Sequence, residues 1–207
     1  MIMQGANPGS FVYLASASPR RRELLTQIGV RWELLPAEVD ETARSGEPAP
    51  EYVGRVALAK ARHALARMPA PRPAPILAAD TAVVIGGELL GKPASAADCH
   101  RMLGLLSGTV HQVFSAVCVI SCQGESVAVS RSEVAFRDIS ADEIGAYWRS
   151  GEPADKAGGY GIQGLGAIFV RELRGSYSGV MGLPLFETAA LLGAHGIASL
   201  AGQGRPP

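Results

Sequence analysis

The sequence is poor in cysteine, in net charge and in long apolar runs, and each shortage excludes a class of protein. Its three cysteines cannot all pair with one another, and they form no CxxC motif or Cys/His cluster of zinc spacing. Nineteen Lys and Arg residues balance nineteen Asp and Glu residues, so the formal net charge is zero. This balance argues against a protein that wraps duplex nucleic acid, although it leaves room for a local basic pocket.

The apolar runs are too short for a membrane protein. The longest of them, such as residues 113–120, fall far below the roughly 20 residues that span a bilayer. Residues 1–10 also lack the basic start and apolar core of a secretory signal. With the unpaired cysteines, these features predict a soluble, cytoplasmic protein in a reducing compartment, with no membrane partner.

The chain has the length and composition of one compact domain. Of its 207 residues, 47% are apolar and 18% are charged, which is enough apolar material for a sizeable core. We predict a single domain over residues 11–196, with residues 1–10 and 197–207 as frayed termini.

Segments of strand and helix periodicity alternate along the chain, and they predict an α/β fold with a mixed, twisted sheet and flanking helices. Strands are expected at residues 11–15, 30–35, 76–79, 82–85, 111–121, 126–136 and 167–173. Helices are expected at residues 19–29, 51–68, 95–108, 140–149 and 183–192. The proline-rich residues 69–75 predict an extended connection.

Two nucleotide-binding signatures are nearly present, and both fail on their context. The sequence of residues 86–92 matches the start of a P-loop, but Pro93 supplies neither the metal-binding hydroxyl nor a backbone donor. Residues 159–164 spell GxGxxG, but the residues after them predict a strand, so no helix N-terminus would face a pyrophosphate.

A better candidate for anion binding follows the first predicted strand. Ser16, Ser18, Arg20 and Arg21 lie at a predicted helix N-terminus, where hydroxyls, free N–H groups and guanidinium groups can converge on a phosphate. An ordinary capped helix with solvated arginines is the competing interpretation.

Further charged residues stand in unusual places. Asp80 interrupts an apolar strand region, where a carboxylate is costly unless it binds a metal, accepts hydrogen bonds or does chemistry. Lys60 lies on an apolar helix face, and Lys92 follows a glycine. Glu41 belongs to an acidic loop that can reach the same place. Taken singly, a solvated loop and snorkelling lysines explain Glu41, Lys60 and Lys92 equally well.

The segment 152–164 is too polar and too rich in glycine for a core element, and we interpret it as a binding loop. Its Gln163 can both donate to and accept from the edge of a base. His111 is expected to be a structural histidine, and Cys118 and Cys122 are expected to be small buried residues.

Together these segments resemble the Maf family of nucleoside triphosphate pyrophosphatases, in the family's order and over nearly the whole domain. The resemblance is carried by LASASPRR at residues 14–21, Asp40-Glu41, ADT at 79–81, GKP at 91–93, DKAGGYGIQG at 155–164 and GSYSGVMGLP at 175–184. It implies an inosine-triphosphatase-like fold with a cleft between two lobes, a divalent metal cation (Mg²⁺ or Mn²⁺) and a homodimer.

The resemblance also implies roles for individual residues. Asp80 corresponds to the catalytic base, and Arg20, Thr81 and Gln163 to positions tied to substrate choice. Phosphate contacts are expected from Ser16, Ser18, Arg20, Arg21, Lys60 and Lys92, and metal ligation from Glu41 and Asp80. Ser115 stands where relatives often have threonine, which keeps the hydroxyl.

The loop at residues 155–163 resembles the branch that acts on dTTP and UTP. The expected reaction cleaves the α–β phosphate bond to give a nucleoside monophosphate and pyrophosphate. A 7-methyl-GTP-type pyrophosphatase and a non-catalytic, nucleotide-binding regulator of septum formation remain as alternatives. The expected partner is a nucleoside triphosphate substrate, and neither nucleic acid nor membrane is expected.

Overall fold

The computed structural model describes residues 11–68 and 74–200. Its strands are β1 (Val12–Leu14), β2 (Trp32–Leu34), β3 (Ile76–Ile85), β4 (Glu88–Leu90), β5 (Val110–Ser121), β6 (Gly124–Phe136) and β7 (Val170–Arg174). Its α-helices are α1 (Pro19–Gln27), α2 (Ala49–Ala66), α3 (Ala96–Leu106), α4 (Ala141–Arg149), α5 (Tyr177–Met181) and α6 (Leu185–Ala194). Three 3₁₀ helices follow α4, at Glu152–Asp155, Ala157–Gly159 and Leu165–Phe169.

The strands form one mixed sheet in the order β2-β1-β3-β5-β6-β7, with β4 pairing with β3. β1 is parallel to β2 and β3, and the other pairs are antiparallel. The predicted hairpin is the long β5–β6 pair, and the mixed α/β architecture with flanking helices is confirmed.

Side chains of the central strands alternate between the two faces of the sheet, and each face packs against a different group of helices. On one face, Ala78 and Ala116 pack with Val53 and Ala57 of α2. On the opposite face, apolar residues of β1 and β3 pack with residues of α1 and α6, among them Leu14, Leu77, Leu25 and Leu192. A third cluster packs α3 and α4 against the beginning of β5 and the end of β6, which pair with each other. Within the described ranges no helix has the length and apolarity needed to cross a membrane.

Residues 76–85 form one continuous strand, so the prediction of two segments interrupted at Asp80 and Thr81 is wrong. β5 pairs with β3 without a break from Ile76 to Val84, with Asp80 opposite Ala116 and Thr81 opposite Ser115. The ladder to β5 holds the backbone extended through both polar residues, because backbone pairing does not depend on side-chain polarity.

The segment 165–173 also differs from its prediction. Leu165–Phe169 is a 3₁₀ helix, and only Val170–Arg174 is a strand. A short helix therefore does follow the GxGxxG residues, where a strand was predicted. Its N-terminus is not open to a pyrophosphate, because the N–H groups of Leu165 and Gly166 donate to the carboxylate of Glu152, at 2.7 and 3.1 Å.

Smaller corrections concern one cysteine and one terminus. Cys122 is exposed in the turn between β5 and β6, whereas Cys118 is buried as predicted. Ile197 is buried, and the Leu200 N–H donates to the Ile28 carbonyl at 2.7 Å, so residues 197–200 are packed rather than frayed. Residues 1–10 and 201–207, and most of the proline-rich connection (69–73), lie outside the described residues.

Candidate active site

A cavity of about 360 Å³ opens beside the middle of β3. Along one edge β3 pairs with β5 throughout, but along the other it meets β1 only at residues 76–77 and β4 only from Val83 onward. Residues 78–82 therefore have, among the described strands, a neighbour on one side only. Asp80 and Thr81 point to opposite faces of the sheet, and this gap lets both side chains reach the same cavity.

All ten residues that the sequence nominated line this cavity, together with residues not nominated. The ten are Ser16, Ser18, Arg20, Arg21, Glu41, Lys60, Asp80, Thr81, Lys92 and Gln163. They come from the turn between β1 and α1, from α1, from the loop before α2, from α2 itself, from β3, and from the segments after β4 and α4. Convergence of residues so distant in sequence is typical of a binding or catalytic site.

Lys60 links the two carboxylates of the site. Its ammonium Nζ lies 2.8 Å from Glu41 Oε1 and 2.8 Å from Asp80 Oδ1. The Lys60 and Asp80 side chains are both almost fully buried, at 9% and 7% exposure, whereas that of Glu41 is half exposed. A buried carboxylate without a cation is costly, so Lys60 stabilises the ionised form of Asp80. This role is additional to the phosphate contact that the family resemblance implies for Lys60.

The pKa of Asp80 is raised above its ordinary value, because burial disfavours the charged form. The positive charges of Lys60 and Arg21 and the hydrogen bond from Lys60 oppose this effect. A carboxylate with a raised pKa is a stronger base than a solvated one, which suits it to accept a proton from water.

Arg21 is held rigidly at the wall of the cavity. Its Nε donates to the Gly182 carbonyl at 2.8 Å, Nη1 to Ser16 Oγ at 3.0 Å and Nη2 to Thr81 Oγ1 at 3.4 Å. Burial lowers the pKa of Arg21, and the Asp80 carboxylate opposes that shift. Because a guanidinium has five N–H donors, two remain for a ligand in the cavity.

Arg20, also at the cavity, is paired with Asp155 of the polar loop, the glycine-rich segment at residues 152–164. Its Nη1 lies 3.1 Å from Asp155 Oδ2, and Lys156 Nζ lies 2.7 Å from Asp155 Oδ1. Both cations lower the pKa of Asp155, although burial opposes them. Gln163 and Lys92 are exposed at the rim.

The polar loop owes its shape to Glu152, which lies beneath it. Besides the two backbone donors already described, Tyr147 donates its hydroxyl to Glu152 Oε1 at 2.7 Å. Lys156 Nζ donates to the Glu152 carbonyl at 2.6 Å, so the same residue also anchors a cation of the cavity.

Three further residues of the site were not assigned roles from the sequence. Asp155 and Lys156 line the cavity within a motif that carried the resemblance, and their ion pairs became visible only in the fold. Ser115 lies behind Thr81, with its hydroxyl 2.9 Å from Thr81 Oγ1. Its signal was available in the sequence, because Ser115 is the one polar residue within the apolar run at residues 113–120.

The charges of the cavity suit a polyanion together with a divalent cation. Five cationic side chains and three carboxylates line it, so the positive excess is two. Among the described residues no group of three or more His, Cys, Asp and Glu side chains is placed to hold a metal ion. Glu41 and Asp80 nevertheless fit Mg²⁺ or Mn²⁺, which use one or two carboxylates and complete their shell with water and phosphate oxygens.

Comparison with known proteins shows which family this chain resembles. Residues 11–195 match the family described as "Maf-like protein". A protein named dTTP/UTP pyrophosphatase from Cupriavidus pinatubonensis is 55% identical over 190 residues, which cover 88% of this chain and 95% of the relative. One of the same name from Methylococcus capsulatus is 55% identical over 181 residues, covering 86% of this chain and 88% of the relative.

Among solved structures, a nucleoside-triphosphatase / dITP/XTP pyrophosphatase from Mycobacterium abscessus aligns with 89% of this chain and 93% of its own. The TM-score is 0.45 at 19% identity, which is too low a similarity to carry an argument. The family match spans nearly the whole described domain, and the relatives are similar over almost their full length. The chain therefore belongs to the family of Maf-like proteins.

Proposed function

We propose that this protein hydrolyses dTTP and UTP at the α–β phosphate bond, releasing a nucleoside monophosphate and pyrophosphate. The observation that carries the proposal is the convergence of Asp80, the arginine-bearing turn at residues 16–21 and the loop with Gln163 on one cavity. The relatives named dTTP/UTP pyrophosphatase, at 55% identity, support the choice of substrate.

The chain's own groups divide the work. Asp80 orients a water molecule for in-line attack on the α-phosphate and takes its proton, while Lys60 holds the carboxylate in place. Arg20, Arg21 and Lys92 neutralise the charge that develops on the leaving pyrophosphate. Ser16 and Ser18 supply hydroxyl donors at the phosphate end, and Gln163 faces the base.

Glu41 and Asp80 are proposed to hold a divalent cation, Mg²⁺ or Mn²⁺, together with phosphate oxygens. When bound, such a cation polarises the α-phosphate and offsets the charge of the triphosphate. Glu41 lies at the end of an exposed loop, so its carboxylate can adjust to the ligand, whereas that of Asp80 is fixed by β3.

The direct test incubates the purified protein and Mg²⁺ with dTTP, UTP, CTP, GTP and 7-methyl-GTP, and identifies both products. We expect UMP with pyrophosphate from UTP, and dTMP with pyrophosphate from dTTP. Diphosphate with orthophosphate would show a different bond cleaved, and preference for 7-methyl-GTP would show the other branch.

A matched pair of variants tests the role of Asp80. Asp80→Asn is expected to lower kcat at saturating Mg²⁺ by at least about a hundredfold, because it removes the base. Asp40→Asn makes the same change in the exposed loop beside Glu41 and is expected to stay within about twofold of the wild type. Equal turnover in the two variants would reject Asp80 as the base.

The family resemblance further leads us to propose a cytoplasmic homodimer. An apolar side chain that is 84% exposed, Phe186 on α6, is one surface suited to such contact. Sedimentation of the purified protein tests the dimer, and a monomer at micromolar concentration would reject it.

A further inference from the structure

The loop before α2, residues 35–48, brings Glu41 to the cavity although it contains no helix or strand. Residues 40–46 are all exposed, and an exposed loop of this kind has much conformational freedom to lose. The Glu41 carboxylate nevertheless lies 2.8 Å from Lys60 Nζ. Its position at the cavity therefore depends on contacts that residues outside the loop make with it.

Two side chains of α2 hold the backbone of the loop at Glu41 and at the next residue. The Tyr52 hydroxyl donates to the Glu41 carbonyl at 3.0 Å, and Arg55 Nη2 donates to the Thr42 carbonyl at 3.1 Å. Neither Tyr52 nor Arg55 is among the described residues that line the cavity. Both side chains therefore act on the backbone that carries Glu41, and not on a ligand in the cavity.

Arg55 is itself fixed by the loop. Its Nε and Nη2 donate to the two carboxylate oxygens of Glu47, the second at 2.7 Å, and such a pair of bonds fixes the plane of the guanidinium. Glu47 also accepts from the Arg44 N–H at 3.0 Å. The guanidinium carbon lies 5.6 Å from the centroid of the Tyr52 ring, so the two anchoring side chains also contact each other.

The helix that anchors the loop is packed firmly against the sheet. Val53 and Ala57 of α2 are fully buried in the cluster that includes the side chains of β3 and β5. The same helix carries Lys60, which contacts both Glu41 and Asp80. α2 therefore holds the backbone of the loop near its own start and the two carboxylates farther along, so it sets the position of Glu41 relative to Asp80.

We propose that Tyr52 and Arg55 are positioning residues, which fix the loop before α2 so that the Glu41 carboxylate stands at the cavity before a ligand binds. That Glu41 then serves a divalent cation with the triphosphate rests on the proposed function. The half-exposed side chain of Glu41 can still reorient, but its backbone cannot. Because an apparent dissociation constant rises as the binding-competent fraction falls, a loosened loop weakens the binding of any ligand that needs Glu41.

The first test uses the free protein, without nucleotide or metal. Arg44 is exposed in the loop, so the rate of trypsin cleavage after Arg44 measures how often the loop opens. Tyr52→Phe removes one anchoring bond and keeps the ring, and Arg55→Lys keeps the charge but loses the fork. Each should speed this cleavage about fivefold, the range of one hydrogen bond. The masses of the fragments identify the bond cleaved.

Two control variants make the same chemical changes away from the loop. Arg62→Lys breaks a matching fork on α2, in which Nε and Nη2 of Arg62 donate to Glu125 of β6 at 2.9 and 2.7 Å. Tyr177→Phe removes a hydroxyl from a half-exposed tyrosine of α5. Both should cleave within about twofold of the wild-type rate. Thermal unfolding of every variant checks that it is folded.

The second test shows whether the two residues act through Glu41. Calorimetry with Mg²⁺ measures binding of the α,β-methylene analogue of UTP, which cannot be cleaved at the α–β bond. Tyr52→Phe and Arg55→Lys should each weaken binding about fivefold, and Glu41→Gln should weaken it at least as much. Adding Tyr52→Phe to Glu41→Gln should weaken it no further, because the anchored carboxylate is already lost.

The outcomes separate this inference from the proposed function. Wild-type cleavage after Arg44 in Tyr52→Phe and Arg55→Lys would overturn it, and so would an equal loss of affinity from Tyr52→Phe with and without Glu41→Gln. Neither measurement requires turnover. A protein that fails to hydrolyse UTP would therefore refute the proposed reaction and leave both tests of the loop intact.

Discussion

Lys60 and Glu152 each hold several groups of the cavity in place through one charged side chain. Lys60 joins a carboxylate of the sheet to a carboxylate of the loop before α2. Glu152 joins α4, the polar loop and the following 3₁₀ helix through one carboxylate. Both are charged groups with several partners each, so a substitution leaves more than one polar group unsatisfied.

Replacement of Glu152 by glutamine is expected to lower the free energy of unfolding by about 1–2 kcal/mol, because an amide cannot accept all three of these hydrogen bonds. The KM for the triphosphate should rise several-fold as the loop loses its anchor. Urea unfolding and steady-state kinetics measure the two effects. Glu172→Gln is the matched control: Glu172 is exposed and pairs only with Arg174 among the described residues, so little change is expected.

At the scale of elements, the cavity depends on how the polar loop packs against the end of β3. The Gly158 N–H donates to the Gly91 carbonyl at 2.9 Å, which ties the loop to the segment that contains Lys92. Gly158 has a φ of +68°, and a Cβ built on it would lie 2.9–3.0 Å from the side chain of Val83. Only glycine meets both requirements without strain.

Gly158→Ala is therefore expected to destabilise the protein by about 2–4 kcal/mol, the sum of a left-handed backbone and an overpacked contact. Gly104→Ala in the exposed middle of α3 is the opposite case, because no atom lies within 4 Å of the added Cβ. That control is expected to stabilise by about 0.5–1 kcal/mol through helix propensity. Equal effects in the two variants, measured by chemical denaturation, would contradict this account of the loop.

At the scale of the whole molecule, stability depends on pH through a buried histidine. His111 is 1% exposed, bonds to the Tyr160 hydroxyl at 2.8 Å and packs edge-on against Phe136. Burial lowers its pKa from 6.5 to about 4. Below pH 6.5 the unfolded chain binds a proton that the folded chain does not, so stability falls as the pH drops toward 4.

Between pH 7 and pH 5 this effect is expected to cost the wild type about 2 kcal/mol. His111→Gln keeps a hydrogen-bonding group near Tyr160 but does not titrate, so its stability should fall less over the same range. Urea unfolding at both pH values gives the comparison. His195, which bonds to Ser121 at the C-terminal end of β5, also has a pKa lowered by burial. It is present in both the wild type and His111→Gln, so its contribution cancels in the comparison. Parallel pH dependences would show that His111 does not carry the effect.

Much of this fold was predictable because its elements have strong local signals. Ser95 accepts from the Asp98 N–H at the start of α3, and Ser140 forms a capping box with Glu143 at the start of α4, as residues of these types at this spacing predict. α5 was missed, since Tyr177–Met181 is only five residues long and contains a glycine, which is too short a segment to show a helical period. Its cap is local, because the Ser176 side chain accepts from the Gly179 N–H at 2.9 Å.

The sequence by itself nominated ten residues that line the cavity, because a carboxylate in an apolar strand is costly, arginines after a strand suit an anion, and the remaining residues belong to the family's motifs. Only the tertiary structure decided what these residues contact: that Lys60 pairs with two carboxylates, that Arg20 pairs with Asp155, and that the hydroxyl oxygens of Thr81 and Ser115 lie 2.9 Å apart. The physical reason is range. Local periodicity acts on neighbours in sequence, whereas these ion pairs and hydrogen bonds join residues that lie 19 to 135 positions apart along the chain.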